Sequence, residues 1–290
     1  MATETSKPSA AETEAAKLKI YLLPNLLTAG NLFCGFLALT RIVEADITAS
    51  NFNHVIRNAI FFIILACLFD LLDGRVARLG GYESPFGREF DSLADIISFG
   101  AAPAFLVHRV VLHDVFEKHP EIGWFIASVY LICGAFRLAR FNCLATQGDS
   151  GGGREFLGFP IPAAAGLVAS ITLFLLWLDE NGWLEDRFAR TPWRYTLPVI
   201  MVFLSVMMVS EVKYPSFKKF DWRARRTFPK MVGTILAVGF LLILWRQVIP
   251  LVLPVLFTAY LVYGFIRPRL SRKMVHDIEE EDEEEEESSE

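Results

Sequence analysis

The chain has 290 residues, 53% of them hydrophobic, with 25 Phe and a formal net charge of −5. Apolar runs recur along most of its length, and several reach the roughly 20 residues a helix needs to cross about 30 Å of hydrocarbon. A soluble core could not bury so many segments that are apolar on every side, which excludes a water-soluble fold and leaves an all-α polytopic transmembrane bundle.

Residues 1–19 form a polar, small-residue-rich segment without the apolar stretch of a cleaved signal. Spans are then predicted at about 24–41, 55–75, 93–111, 122–143, 159–178, 195–212, 231–245 and 248–266, eight in all within a membrane domain of 20–270. With eight spans both termini share one side. The termini and the even-numbered connections hold 20 of the 28 Lys and Arg, so the positive-inside bias places them in the cytoplasm. Trp124, Trp183, Trp193 and Trp245 then fall near the opposite interface, where amphipathic rings prefer to sit.

The remaining segments carry little chemistry. Residues 277–290 hold 11 acids, which leaves 28 bases against 22 acids elsewhere; the body of the protein is basic and suits anionic lipid. The acidic stretch 271–290 is self-repelling and is expected to be a disordered tail. Cys34, Cys67, Cys133 and Cys143 lack metal-ligand spacing and read as small apolar packing residues. Residues 213–230 carry seven Lys or Arg interleaved with Tyr214, Phe217, Phe220, Trp222 and Phe228. Between two spans that pattern describes a segment lying on anionic headgroups, and no nucleic-acid partner is expected. The Gly-rich stretch 148–153 lacks a following Lys-Ser/Thr and is no phosphate-binding P-loop.

The informative stretch is Asp70-Leu-Leu-Asp73-Gly74-Arg-Val-Ala77-Arg78, then eight residues, then Gly87-Arg-Glu-Phe-Asp91-Ser-Leu-Ala-Asp95. At about 100° per residue, Asp70, Asp73, Gly74 and Ala77 share one helix face, and Gly87, Asp91 and Asp95 form a stripe on another. Two helices facing each other across the short loop would bring four carboxylates together near the cytoplasmic boundary. Such a cluster repels itself unless cations neutralise it, and an unpaired acid in a bilayer costs at least about 2.5–3.5 kcal/mol. All-oxygen ligands suit Mg²⁺ or Mn²⁺, and two such ions would clamp an in-line phosphoryl displacement. The small residues Gly74, Ala77 and Gly87 would let backbone approach a nucleotide closely.

The pattern D-x-x-D-G-x-x-A-R-x8-G-x-x-x-D-x-x-x-D, matched here without departure, resembles the signature of the CDP-alcohol phosphatidyltransferases. The resemblance implies that Asp70, Asp73 and Asp91 bind metal and the CDP-lipid diphosphate. It implies that Asp95 is the general base, also close to the metals. Gly74, Ala77 and Gly87 would border the cytidine, and Arg78 belongs to the same nucleotide-side motif. The family's first helix contributes polar residues, and Pro24-Asn25-Leu-Leu-Thr28-Ala-Gly-Asn31 looks like that segment. Thr28 and Asn31 are therefore candidates on the CDP-lipid side, with hydrogen bonding inside the helix bundle as the plain alternative. The resemblance also implies a homodimer.

Arg137 and Arg140 lie three residues apart near the cytoplasmic end of the fourth span. Such a pair can hold a carboxylate or a phosphate, and snorkelling to headgroups is the structural alternative. The segments 137–142, 158–166 and 209–218 are similar to the integral-membrane CDP-diacylglycerol–serine O-phosphatidyltransferases. That similarity implies CDP-diacylglycerol as donor, L-serine as acceptor and an active site on the cytoplasmic side of the inner membrane, with Arg137 and Arg140 as acceptor-binding candidates. Glycerol 3-phosphate or an inositol phosphate would need the same aspartates and a similar basic pocket. A membrane prenyltransferase fits the Gly-Ala-Arg framing less well. A cation transporter would place its acids near the midplane rather than at a boundary beside Arg75, Arg78 and Arg88.

Overall fold

The computed structural model describes residues 22–81, 84–146, 155–183, 193–215 and 248–264. Helix α1 is Leu22–Glu44, α2 is Phe52–Gly80, and α3 runs through Pro85–Val115. Helix α4 is Pro120–Thr146, α5 is Ile161–Glu180, α6 is Trp193–Val209 and α7 is Ile249–Gly264. The first five are long and apolar enough to cross a membrane, and α6 and α7 are shorter apolar helices. The protein is thus a helical membrane protein. The predicted seventh span, the polar N-terminus, most of the basic 213–230 stretch and the acidic tail lie outside the described residues.

Within a bilayer, helices associate through close packing and interhelical hydrogen bonds, which favours small residues at contacts. Helix α1 follows that rule: Pro24, Thr28, Asn31, Cys34, Gly35, Ala38 and Ile42 recur at helical spacing and form its buried face. The opposite face carries exposed Leu22, Leu26, Phe33 and Phe36, as expected of a surface meeting lipid. Helix α2 meets α1 along most of its length, burying Ile56, Ala59, Ile60, Ile63 and Ala66. Gly35 sets the approach of α3: a Cβ there would lie 2.2 Å from Ser98 Oγ and 2.7 Å from Ser98 Cα. The same crossing is fixed by a hydrogen bond from Ser98 Oγ to the Asn31 carbonyl at 3.0 Å.

Helix α3 is irregular in a way that matters for the site. It starts at a true N-cap, where Ser84 Oγ accepts the Gly87 N–H at 3.0 Å and Pro85 occupies the first turn. The α-helix continues to Asp95, and a π-helical segment follows directly at Ile96–Ala101, with a second at His108–Leu112. Pro103 has no N–H to offer the Phe99 carbonyl four residues earlier, and the buried Tyr130 hydroxyl donates to that carbonyl at 3.2 Å.

A feature the sequence did not announce is a short antiparallel ladder joining the 4–5 and 6–7 connections. Strand β1, Glu155–Leu157, pairs with β2, Lys213–Pro215, in the register Glu155↔Pro215, Phe156↔Tyr214 and Leu157↔Lys213. Gly158, at φ +77°, lets the chain turn out of β1 where a Cβ would meet the Met208 carbonyl at 2.3 Å. At the far end of the bundle, Asn53 donates to Asp179 at 2.9 Å and Arg57 pairs with Glu180, so α2 and α5 run antiparallel.

Candidate active site

Three helices supply the site. Helix α2 carries Asp70 and Asp73 in its closing turns, α3 carries Asp91 and Asp95 before its first π-helical segment, and α1 contributes Thr28 and Asn31 from its buried face. Asp70, Asp91 and Asp95 each present one carboxylate oxygen such that all three atoms lie within 4.8 Å of one another. The predicted facing of the two acid-bearing helices is therefore present in the structure.

Asp73 is placed differently. It is buried, and one of its oxygens accepts the Thr28 hydroxyl at 2.9 Å. Asn31, fully buried, donates from Nδ2 to Asp95 Oδ1 at 3.1 Å. The two polar residues of α1 thus orient one aspartate from each of the opposing helices. Asp91 Oδ1 is a buried acceptor without a hydrogen-bond partner among the described residues. An unpartnered carboxylate oxygen inside a cluster of acids is the pattern that a bound cation would complete, since a lone buried anion is costly. The donor set is oxygen only, which fits Mg²⁺ or Mn²⁺ and does not fit a thiophilic metal.

The small residues sort out less simply. Gly87 sits over the N-cap, and a Cβ there would press on Ser84 Oγ at 3.2 Å and Asn25 Oδ1 at 3.4 Å. Its small size therefore serves the turn that starts α3 as well as any ligand beside it. Gly74 and Ala77 lie half-buried in the last turns of α2. Arg78 follows on the same helix, and its side chain lies outside the described ones.

The two arginines of α4 have different surroundings. Arg140 donates to the carbonyls of Val209 at 2.9 Å and Ser210 at 3.2 Å, satisfying acceptors that the end of α6 leaves open. Arg137 is buried, its Nε has no partner among the described residues, and its charge faces Asp95, Tyr260, Arg140 and Asp70. Asn142, one turn beyond, donates to Ser92 Oγ at 3.0 Å and to Glu89 at 3.3 Å, tying α4 to the acid-bearing turns of α3. Sequence reading had quoted Asn142 only within a longer similar segment. Nothing in its spacing marks it as a tie between helices far apart in the chain.

With this geometry in hand, comparison with known proteins decides the family. The family model for CDP-alcohol phosphatidyltransferase matches residues 21–209. The chain belongs to the CDP-alcohol phosphatidyltransferase family. A Helicobacter pylori CDP-diacylglycerol–serine O-phosphatidyltransferase is 36% identical over 248 residues, covering 86% of this chain and 91% of the relative. The Bacillus subtilis protein of the same name is 34% identical over 201 residues, covering 68% of this chain and 92% of the relative. An archaetidylserine synthase of Methanothermobacter thermautotrophicus is 34% identical over 195 residues, covering 67% of this chain and 69% of the relative. In this phosphatidyltransferase the matched region ends with α6, so α7 stands outside it.

Proposed function

We propose that this chain transfers the phosphatidyl group of CDP-diacylglycerol to the hydroxyl of L-serine, giving phosphatidylserine and CMP. The observation that carries this reading is the convergence of the Asp70, Asp91 and Asp95 carboxylates, with Asp73 held beside them by Thr28. Serine as acceptor rests on the names of the relatives reported above.

Asp70, Asp91 and Asp95 would hold a divalent ion, and Asp73 would complete the set for a second. When bound, such cations neutralise charge on the donor diphosphate and favour departure of CMP. The chain's own groups account for the rest. Asn31 occupies Asp95 Oδ1 and leaves the other carboxylate oxygen able to accept the proton of the serine hydroxyl. As that O–H bond breaks, the serine oxygen bonds to the lipid-side phosphorus, and the bond from that phosphorus to the bridging oxygen of CMP breaks. Gly74, Ala77, Arg78 and Gly87 border the cytidine in this reading, and Arg137 meets the serine carboxylate. Arg140 acts from behind it by fixing the end of α6 against α4.

The direction of the helices supports eight spans with the site on the cytoplasmic side of the inner membrane. The C-terminal ends of α6 and α7 both lie near the Arg137–Arg140 turn of α4, so the chain between them must return to the opposite end. The basic connections fall at that same end, where anionic lipid would meet them. A homodimer is proposed on the family resemblance.

The deciding experiment is CMP release by purified protein in detergent with CDP-diacylglycerol and Mg²⁺. Serine, glycerol 3-phosphate and inositol phosphate are supplied separately. Release with serine alone, lost on chelation and restored by Mg²⁺ or Mn²⁺, is the expected result. Release with another alcohol would keep the chemistry and replace the acceptor.

A further inference from the structure

The matched family region ends at residue 209, yet α7 reaches the site. Two contacts seat it. Phe257 fills the notch over Gly166 of α5, where an added Cβ would stand 2.3 Å from the Phe257 Cζ. Three residues on, the Tyr260 ring lies 5.8 Å from that of Phe159, which is itself fully buried at the mouth of α5. One helical turn thus wedges into α5 and brings the Tyr260 phenol beside Arg137, whose charge it faces.

This placement bears on the acceptor. The donor-side residues belong to α1, α2 and the start of α3, whereas Arg137 approaches Asp95 from α4. An acceptor whose hydroxyl lies at Asp95 would extend its other end toward Arg137 and the phenol. The charges there are also informative. Arg140 gives hydrogen bonds to the Val209 and Ser210 carbonyls, which leaves Arg137 as the cation directed at the chamber, with a neutral hydroxyl donor beside it. One guanidinium plus one neutral O–H matches the single charge and two oxygens of a carboxylate. A phosphate monoester carries more charge and would call for further cations.

Resting on the serine reading above, we propose that Tyr260 is an acceptor-specificity residue: with Arg137 it forms the carboxylate-binding end of the acceptor chamber, so that α7 completes a pocket which the family's matched region leaves open. The phenol oxygen accepts from the Arg137 guanidinium, and its O–H donates to the acceptor carboxylate.

The test is Tyr260→Phe, which removes one oxygen and keeps the ring on Phe159. Steady-state CMP release is measured with L-serine, and inhibition of that reaction is measured with L-serine methyl ester, which keeps the hydroxyl and amine but lacks the anionic carboxylate. The expected result is a roughly tenfold higher KM for L-serine, about 1.4 kcal/mol. The KM for CDP-diacylglycerol, kcat and the inhibition constant of the ester should stay near their wild-type values, so that preference for the carboxylate falls. An unchanged serine KM, an equal loss for serine and ester, or a parallel rise in the donor KM would each overturn the role of Tyr260. Absence of serine-dependent release by the unaltered chain would instead overturn the acceptor assignment, and this proposal with it.

Discussion

Single side chains in this site divide into those that meet the reacting groups and those that hold them. Asp95 belongs to the first kind. Asp95→Asn keeps shape and the Asn31 contact but removes the base, and general-base catalysis typically contributes about 10²–10⁴-fold. Transfer should fall by that factor or more while CDP-diacylglycerol still binds, as equilibrium binding of the lipid nucleotide would show; loss of binding would make Asp95 chiefly a metal ligand. Thr28 belongs to the second kind. Thr28→Val removes a charge-assisted hydrogen bond to buried Asp73 at 2.9 Å. Such bonds contribute about 1.5–3 kcal/mol, so the Mg²⁺ concentration needed for half-maximal activity should rise at least several-fold. An unshifted Mg²⁺ titration would reduce Thr28 to packing. The α4 arginines split along the same line. Arg137→Ala should raise the KM for serine and spare that for the donor. Arg140→Ala, which strips two carbonyls of their donor, should lower thermal stability in detergent with a smaller effect on the serine KM. Equal kinetic effects would remove the distinction drawn between them.

At the scale of elements, the site depends on how closely α3 lies against α1. Gly35→Ala places a methyl group 2.7 Å from a backbone atom of Ser98, which cannot swing aside as a side chain could. Overpacking of this kind costs about 1–3 kcal/mol. The same displacement would stretch the Ser98–Asn31 bond, whose Asn31 side chain orients Asp95. The variant should therefore lose both melting temperature and activity, measured on the same detergent-purified sample. Retained activity at a lowered melting temperature would uncouple the crossing from the site. The π-helical segment after Asp95 has a related effect, because it changes the rotation of α3 just below its acidic face. Tyr130 and the Phe99 carbonyl stabilise that irregular stretch where Pro103 interrupts the helical hydrogen bonding.

For the whole molecule, the testable property is its direction in the bilayer. Cys143 is exposed near the end of α4 that carries the arginines. With the site on the cytoplasmic side, a membrane-impermeant maleimide should label Cys143 in inverted vesicles and leave it unlabelled in intact cells. Labelling from outside would reverse the topology and place the basic connections on the wrong face for the positive-inside bias. The paired C-terminal ends of α6 and α7 make the same point by geometry, since a chain that ends two successive described helices on one side has an odd number of crossings between their ends.

The sequence by itself determined the membrane class, because apolar runs of span length have no soluble solution. It also determined the acid-bearing faces, because helical spacing places Asp70 with Asp73, and Gly87 with Asp91 and Asp95, whatever surrounds them. The pairing of Thr28 with Asp73 and of Asn31 with Asp95 joins residues 45 and 64 positions apart, and no local spacing encodes it. Arg137 and Arg140 are alike in sequence and were separated only by what packs around them: the carbonyls at the end of α6 in one case, the buried aspartates and Tyr260 in the other. The ladder between residues 155–157 and 213–215 was likewise unreadable, because three-residue strands carry too few residues to show a period. Local patterns fix faces, and only the packed bundle decides which faces meet.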